Sequence, residues 1–563
     1  MSSLEKPFAI TLEVGSSRAN HTGSWRTERP EYVRGTAPCG GACPAGEDVQ
    51  QWLFHTEEGG YEQAWRKIME RNPFPAICGR VCYHPCETAC NRAQLDETVG
   101  INSVERFLGD QGISQGWQPE LAAAPSGKRV LVIGAGPSGL SAAYHLALLG
   151  HEVTIRDAAP VAGGMMRYGI PKYRLPRDVL DAEVERIAEL GVKFEFGHNV
   201  VDVIAEQLEG RFDAVFLAVG ARLASRTYVP AGSAAKIIDA VSLLRDMEDG
   251  SAGPPLLGRR VAVYGGGNTA MDAARTAKRL GADEAIIVYR RTRDRMPAHE
   301  SELQEALQEG IQVKWLTTIK HADAGRLTIE RMELDENGYP QPTGQFEQLD
   351  ADTLVLATGQ QTDLSLLEGV AGIAEEDGVV KVDQNLMTGH AGIFAGGDMV
   401  PAERTVTVAI GHGRRAAHGI DRWLLGEAGV AEWGVHDSAS VTGVGPAPAR
   451  EEVQFERLNT WYYSDAPKTV RPELDRVRRS STFDEVVLGL DESNALFEAR
   501  RCMSCGNCLA CDNCYGVCPD NAVIKLDPPG AYAYAFDLDF CKGCGLCAQE
   551  CPCGAIQMQP ELI

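Results

Sequence analysis

Residues 128–139 read KRVLVIGAGPSG, a short apolar strand that leads directly into the glycine pattern G-x-G-x-x-G. A helical stretch over 140–149 follows, and the next strand ends at Asp157. This strand–turn–helix–strand order is the context in which the pattern binds a dinucleotide. Gly134 permits the tight turn, Gly136 lets backbone amides approach a pyrophosphate, and Asp157 is placed for a ribose hydroxyl. The predicted binding residues are Gly134, Gly136, Pro137, Ser138, Gly139 and Asp157.

A second unit of the same kind begins with a strand over 260–264 and the pattern G-x-G-x-x-A. The strand that follows its helix ends in Arg290 and Arg291 instead of an acid. Arginine at this point suits the 2′-phosphate of NADP, whereas an acid suits NAD. A solvated basic turn, or stacking on adenine, is the alternative, so the choice between NAD and NADP stays open. The predicted residues of this site are Gly265, Gly267, Asn268, Thr269, Arg290 and Arg291.

Two more strands, at 354–359 and 392–398, end in glycine turns. With the two units above they resemble the flavoprotein fold of the disulfide reductases, in which FAD binds first and a nicotinamide nucleotide second. That resemblance implies that Asp398 contacts the flavin ribityl chain or pyrophosphate, and that Gly359 belongs to the nicotinamide site. The redox disulfide of those enzymes is absent, because no cysteine lies between residues 91 and 501. Electrons must therefore leave the flavin by another route.

Residues 502–563 contain eleven of the 17 cysteines, and eight of them form the run C-x2-C-x2-C-x3-C-P written twice. This is the bacterial two-cluster ferredoxin pattern, in which the fourth cysteine of each run binds the other 4Fe-4S cluster. Zinc ribbons lack this spacing, and a disulfide framework is typical of short secreted chains. The predicted ligand sets are Cys508, Cys511, Cys514 and Cys551 for one cluster, and Cys541, Cys544, Cys547 and Cys518 for the other.

Six further cysteines lie near the N-terminus, four of them at C-x3-C spacing over 78–90. With the segments 163–171 and 295–298, this pattern closely resembles the small subunit of NADPH-dependent glutamate synthase and its relatives, over roughly residues 37–425. The resemblance adds Gly164 to the flavin site and implies a helical domain that holds two 4Fe-4S clusters. One cluster would take Cys43, Cys82, Cys86 and Glu105 as ligands.

The second N-terminal cluster lacks part of its ligand set. In the resembling proteins it takes an upstream C-x2-C pair and the positions that match Cys39 and Cys90, but no such pair precedes Cys39. Cys502 and Cys505, which the ferredoxin pattern does not use, lie in an R-C-x-x-C-G segment that resembles the missing pair. They are hypothesised to complete the set, and the alternative is that they are buried thiols and the site is empty. Cys78 and Cys553 then remain without a role.

The segment 20–30 resembles the T-G-x-W-R-x-x-R-P stretch of the ferredoxin-like delta subunits of 2-oxoacid:ferredoxin oxidoreductases. This resemblance implies a partner that oxidises a 2-oxoacid with thiamine diphosphate, as in complexes of the phenylglyoxylate dehydrogenase type, or a ferredoxin-like carrier. The alternative is a disordered tail. No thiamine-binding motif is visible in this chain, so that chemistry would belong to another subunit.

The composition of the chain argues against two further classes of protein, nucleic-acid binders and membrane-spanning proteins. The net charge of −24 argues against nucleic-acid binding, which needs basic surfaces. No apolar run approaches the ~18 residues of a membrane helix. Because cluster cysteines must stay reduced until iron arrives, we expect a cytoplasmic protein.

The sequence therefore predicts a multidomain α/β protein with a helical iron–sulfur domain, two Rossmann-like domains and an α+β ferredoxin-like domain. The expected boundaries are an arm over 1–36, the helical domain over 37–120, an FAD domain over 121–240 and 366–425, an NAD(P) domain over 241–365, a linker over 426–500, and the ferredoxin domain over 501–563.

The expected function is that of an NAD(P)-dependent oxidoreductase subunit that carries electrons between NAD(P)(H), FAD and 4Fe-4S clusters, and couples them to a 2-oxoacid oxidoreductase. No acid–base catalytic residue is predicted, because hydride passes directly to FAD. The alternatives are a glutamate synthase small subunit, a ferredoxin:NAD(P) oxidoreductase, and a diaphorase-like relic that only transfers electrons.

Overall fold

The computed structural model describes residues 21–33, 35–120, 123–225, 227–232, 235–249, 255–426, 451–526 and 533–561. It contains a helical N-terminal domain, two α/β domains with parallel sheets, and a small α+β domain at the C-terminal end. The predicted fold class is confirmed. No helix in the described ranges combines the length and the apolar character that crossing a membrane requires.

The N-terminal part starts with strand β1 and continues in six short helices. Helices α4 and α6 pack so closely that a Cβ atom at Gly109 would collide with the backbone of Ala76, and one at Gly79 would collide with Arg106. This close approach brings the end of α4 beside the first turns of α6. The elements are β1 (Glu28–Tyr32), α1 (Pro38–Ala42), α2 (Val49–Glu57), α3 (Tyr61–Met69), α4 (Pro75–Val81), α5 (Pro85–Thr88) and α6 (Ile101–Ser114).

The first α/β domain follows, and its apolar strands are almost completely buried, as expected for a parallel sheet covered on both faces. Its elements are β2 (Arg129–Ile133), α7 (Pro137–Leu148), β3 (Glu152–Asp157), α8 (Met165–Tyr168), α9 (Arg177–Glu189), β4 (Lys193–Phe196), α10 (Val203–Gly210), β5 (Ala214–Leu217) and β6 (Leu223–Ala224).

The second α/β domain is inserted into the first. Its elements, and those with which the chain returns to the first domain, are β7 (Ile237–Asp239), α11 (Ala240–Asp249), β8 (Arg260–Tyr264), α12 (Asn268–Arg279), β9 (Glu284–Val288), α13 (Glu300–Gln308), β10 (Gln312–Lys314), β11 (Thr317–Asp323), β12 (Arg326–Leu334), β13 (Pro340–Asp350), β14 (Thr353–Leu356), β15 (Gln360–Gln361), β16 (Glu375–Glu376), β17 (Val379–Val380), β18 (Ile393–Ala395) and α14 (Val406–Leu425).

Two five-stranded sheets organise these domains. The first has the order β18-β5-β2-β3-β4 and the second the order β10-β9-β8-β14-β7, and all their strand pairs are parallel. Strands β11, β12 and β13 form a separate antiparallel sheet. Because β7 belongs to the second sheet, the second domain begins a few residues before the predicted position 241.

The C-terminal part contains two helices that precede the ferredoxin-like domain, and then that domain itself. Strands β19 and β20 pair antiparallel, and β21 pairs antiparallel with β1 from the other end of the chain. The elements are α15 (Arg476–Ser481), α16 (Glu492–Arg500), α17 (Asn513–Val517), β19 (Val523–Lys525), β20 (Tyr534–Phe536), α18 (Leu546–Gln549) and β21 (Ile556–Pro560).

The predicted linker over 426–500 needs a correction. Residues 427–450 lie outside the described ranges, but 451–500 pack against all three preceding domains. The backbone N–H of Val453 donates to Thr36, and that of Val486 donates to Tyr173. Helix α16 buries Ala495 and Ala499 in the core of the N-terminal domain. Helix α16 begins after Asp491, which caps its first turn by accepting from the Asn494 N–H at 2.9 Å.

Candidate functional site

A cavity opens at the carboxyl ends of the first sheet, where β3 and β5 flank β2. Its space is about 1530 Å³, including solvent at its mouth. In an open α/β sheet this is the crevice where a dinucleotide binds. Seven of the eight residues expected to bind FAD line it, namely Gly134, Gly136, Pro137, Ser138, Asp157, Gly164 and Asp398.

The tight turn after β2 depends on glycine. Gly134 has a φ of +109°, and a Cβ atom there would collide with the carbonyl oxygen of Ala218. Gly139, the eighth predicted residue, lies behind this turn, where a Cβ atom would collide with the Gly134 carbonyl. Gly139 therefore serves the packing of helix α7 on the strand and does not line the cavity.

The N-terminus of α7 supplies the groups that a pyrophosphate needs. Gly136 is the N-cap, so the first backbone N–H groups of the helix have no acceptor within the helix. Ser138 lines the cavity, and its buried hydroxyl has no hydrogen-bond partner among the described residues. Unused donors at a helix N-terminus favour an anion. These residues fit the diphosphate of FAD.

Asp157 is fixed at the end of β3 by the backbone. One carboxylate oxygen accepts from the Ala135 N–H at 2.6 Å, and the other accepts from the Ala159 N–H at 2.7 Å. Each carboxylate oxygen can accept a further bond. The carboxylate is therefore held in a position to accept a hydroxyl at the cavity wall, as expected for a ribose.

The opposite wall of the cavity is formed where β18 meets α14. Burial raises the pKa of Asp398, although the nearby Arg404 charge opposes this. His412, which the sequence did not single out, accepts from the Gly397 N–H through Nδ1 at 3.1 Å. Burial lowers the pKa of His412 to about 4, so it is neutral at physiological pH and can accept this bond. It positions the Gly397–Asp398 turn.

The second dinucleotide unit has the same local geometry. Gly267 is the N-cap of α12, and a Cβ atom there would have no neighbour within 4 Å. Asn268 is fixed because its Oδ1 accepts from the His299 N–H at 2.9 Å. Arg290 follows β9 and is exposed, whereas Arg291 is half-buried. The remaining predicted residues of this site are Gly265, which directly follows β8, Gly359, which lies three residues after the end of β14, and Thr269 in the first turn of α12.

The structure brings together the four predicted ligands of the first N-terminal cluster. Cys43 follows α1, Cys82 ends α4, Cys86 lies on α5 and Glu105 on α6. Cys86 and Glu105 are buried and Cys43 and Cys82 are half-buried. Burial together with the neighbouring acidic groups raises the pKa values of Cys43, Cys86 and Glu105. These residues fit a cluster with three thiolate ligands and one carboxylate.

Two further groups at this site were missed by the sequence analysis. Glu47 and Glu105 both accept hydrogen bonds from the Asn72 side-chain amide, at 2.8 Å and 3.0 Å. Burial raises the pKa of Glu47 to about 7. Cys78 is also buried here and contacts the Asn72 Oδ1 at 3.8 Å. No local motif marks these residues, because only the packing of α2, α4 and α6 assembles them.

In the ferredoxin-like domain the fourth cysteine of each run lies with the first three of the other run. Cys551 interacts with Cys508, Cys511 and Cys514, whose thiols share its surroundings. The other four predicted ligands line one cavity, namely Cys518, Cys541, Cys544 and Cys547. Cys553 lies 3.7 Å from the Cys551 sulfur. The domain therefore presents two separate four-cysteine sites.

The part of the arm that the structure describes, from residue 21 onward, lies on this domain in the same chain, and residues 1–20 lie outside the described ranges. Strand β1 pairs with β21, and the Gly23 N–H donates to the Asp539 carbonyl at 3.0 Å. Arg26 binds Glu561 at 2.8 Å and the Cys541 carbonyl at 3.1 Å, and its side chain is largely buried. Trp25 is 69% exposed. Within this segment, Arg26 therefore binds the same chain, whereas Trp25 faces outward.

Three family models match the chain. The pyridine nucleotide-disulphide oxidoreductase model matches residues 128–413, the model of dihydropyrimidine dehydrogenase domain II with its 4Fe-4S cluster matches 32–117, and the 4Fe-4S binding domain model matches 534–557.

Curated relatives cover most of the chain. The NADP(+)-dependent formate dehydrogenase subunit beta of Moorella thermoacetica is 39% identical over 84% of this chain and 70% of that protein. The NADPH-Fe(3+) oxidoreductase subunit beta of Geobacter sulfurreducens is 32% identical over 84% of this chain and 75% of that protein. The glutamate synthase [NADPH] small chain of Escherichia coli is 30% identical over 69% of this chain and 89% of that protein.

These matches confirm the resemblance to glutamate synthase small subunits and the predicted cofactor classes. The chain belongs to the pyridine nucleotide-disulphide oxidoreductase family and is an electron-transfer oxidoreductase subunit that uses FAD, NAD(P) and 4Fe-4S clusters.

Proposed function

We propose that this subunit passes electrons between NADP(H) and a catalytic partner that oxidises a 2-oxoacid. The observation that supports this choice of partner is the N-terminal arm. Its sequence is similar to the opening of the delta subunits of 2-oxoacid oxidoreductases, and it lies along the ferredoxin-like domain next to the Cys541 site. The exposed indole of Trp25 is then available to the partner.

The proposed order of centres follows from what each domain holds. FAD, when bound, exchanges a hydride with the nicotinamide and exchanges single electrons with iron–sulfur clusters. The residues of the chain bind and orient these groups. The N-terminus of α7 and the Ser138 hydroxyl would hold the FAD diphosphate, and Asp157 would hold its ribose. The N-terminus of α12 would hold the nicotinamide nucleotide. The two ferredoxin sites form the end that faces the partner.

Substitution of Arg290 tests whether the second dinucleotide site prefers NADP over NAD. Replacing this arginine with alanine should raise the KM for NADPH about tenfold or more and leave the KM for NADH within about twofold. A charge-assisted bond to the 2′-phosphate contributes about 1.5–3 kcal/mol, and only NADPH has that phosphate. The measurement is steady-state dye reduction with each nucleotide.

Arg293→Ala is the matched control for Arg290, because Arg293 is exposed in the same turn and pairs with Glu300. It should change neither KM. Equal increases for NADPH and NADH in Arg290→Ala would mean that the arginine binds a part common to both nucleotides, and would remove this argument for NADP.

The partner is tested by anoxic purification of the complex from its native host. We expect a copurifying thiamine-containing subunit and reduction of NADP that depends on a 2-oxoacid and coenzyme A. A complex without such a subunit and without that activity would overturn the 2-oxoacid proposal.

A second candidate partner is an enzyme that oxidises formate. It is favoured by the 39% identity with a formate dehydrogenase beta subunit over 84% of the chain. The same preparation separates the two candidates, because formate-dependent reduction of NADP in the absence of coenzyme A would identify this partner.

A further inference from the structure

Cysteines from the two ends of the chain meet at one small cavity. Cys39 lies on α1 and Cys90 follows α5, whereas Cys502 and Cys505 follow α16. All four line the same cavity, together with Gln50 and Asn91. We propose that this cavity binds a fourth 4Fe-4S cluster, with Cys39, Cys90, Cys502 and Cys505 as its ligands.

The ferredoxin-like domain provides an internal standard for this site. The space lined by Cys518, Cys541, Cys544 and Cys547 is about 350 Å³ and the proposed one about 340 Å³, both including solvent at the mouth. The cysteine motif at the ferredoxin sites is specific for 4Fe-4S clusters. A cavity of similar size that is also lined by four cysteines can hold a group of the same kind.

Hydrogen bonds to sulfur are a second similarity. The Ser504 N–H donates to the Cys502 sulfur at 3.4 Å, and the Asn91 amide donates to the Cys505 sulfur at 3.5 Å. At a ferredoxin site, the Ala522 N–H donates to the Cys518 sulfur at 3.2 Å. Such bonds stabilise thiolate ligands and tune cluster potentials.

The loop that carries Cys502 is fixed to the loop that follows Cys90. The Arg501 guanidinium donates to the carbonyls of Glu97 and Thr98, both at 2.8 Å. In return, the Arg92 guanidinium donates to the Arg501 carbonyl at 2.6 Å. Both arginines are almost completely buried. The two cysteine pairs are therefore held against each other by contacts that do not involve the thiols.

The position of the site gives it a role in electron transfer. Cys505 and the ferredoxin ligand Cys508 are three residues apart, so their Cα atoms are within about 11 Å. The Gly506 N–H also donates to the Cys553 carbonyl at 2.7 Å, which joins this loop to the ferredoxin-like domain. A cluster here would lie at the junction between the helical domain and the two ferredoxin clusters.

The test is the metal content of the full-length chain, purified without oxygen and normalised to FAD. Four clusters give about sixteen irons per chain. The double variant Cys502→Ala/Cys505→Ala should fall to about twelve, while Leu490→Ala, which trims a side chain of the same core that does not line the cavity, should stay at about sixteen. Twelve irons in the unchanged chain, or one zinc that the double variant loses, would overturn the proposal.

Separate measurements report on the folding of the variant and on the proposed function. FAD content and NADPH-driven reduction of ferricyanide report on the flavoprotein, and they should persist in the double variant, since the dye can accept electrons upstream of this site. Should the double variant fail to fold, the iron content and the Mössbauer intensity of the unchanged chain decide between three clusters and four. These readouts do not depend on the identity of the partner.

Discussion

Gly136→Asp is expected to purify without flavin and to lose NADPH-driven dye reduction almost completely. Gly136 caps α7 at the cavity wall, and a Cβ atom there would meet only the Gly164 Cα at 3.9 Å. The fold therefore has room for the side chain. The new carboxylate would lie where the FAD diphosphate binds, and two like charges about 4 Å apart repel by about 4 kcal/mol at an effective dielectric of 20. That is roughly a thousandfold in affinity.

Gly267→Asp is the matched variant in the second domain. It places the same charge at the N-cap of α12, where a Cβ atom would have no neighbour within 4 Å. This variant should keep one FAD per chain and its iron, yet lose NADPH-driven dye reduction by a similar factor. Flavin absorbance and stopped-flow reduction by NADPH measure both effects. Retention of FAD in Gly136→Asp, or its loss in Gly267→Asp, would contradict the assignment of the two sites.

The parts of the fold that could be predicted are those that a few adjacent residues determine. A turn such as the one at Gly134 needs glycine because the next strand passes too closely for a Cβ atom, and this requirement is visible in a short window of sequence. The ferredoxin runs are similar, since each loop supplies three ligands by itself. The fold class and the cofactor classes followed from these local rules.

The parts that could not be predicted depend on partners far away in the sequence. Segment 451–500 was assigned to a linker because the stretch 438–450 before it is rich in Ser, Gly, Pro and Ala. In the structure its charged side chains bind buried partners; Glu485, for example, binds Arg80 at 2.8 Å and Arg106 at 2.9 Å. No sequence pattern near Glu485 predicts that it pairs with those arginines. The second carboxyl at the N-terminal cluster, Glu47, was missed for the same reason.

Glu309→Ala is expected to destabilise the second α/β domain by about 3–5 kcal/mol, because it leaves buried positive charges without their counterion. Glu309 follows α13, and its side chain is 1% exposed. It binds Arg275 at 2.8 Å and Arg279 at 2.7 Å, and Arg479 of α15 approaches it at 3.5 Å. It thus joins the second domain to the segment 451–500.

The surroundings of this carboxylate determine the size of the effect. Burial opposes its ionisation, but hydrogen bonds from Arg279 and Arg275 outweigh burial and lower the pKa of Glu309 to about 2. Because this pKa lies below the ordinary 4.5, the stabilising contribution is complete above about pH 4.5 and is lost as the pH falls toward 2. The Tyr173 ring lies 3.7 Å from the Arg279 guanidinium carbon, so the variant also disturbs the contact with the first domain.

Thermal release of the flavin at neutral pH measures this loss. With about 2–4 °C per kcal/mol, Glu309→Ala should lower the midpoint by roughly 6–20 °C. Glu305→Ala is the control, because Glu305 also binds Arg275 at 2.8 Å but is 25% exposed. A partly exposed pair contributes about 1 kcal/mol or less, so its midpoint should move by only a few degrees. Equal shifts in the two variants would show that the buried ion pairs of Glu309 do not hold the domain to its neighbours.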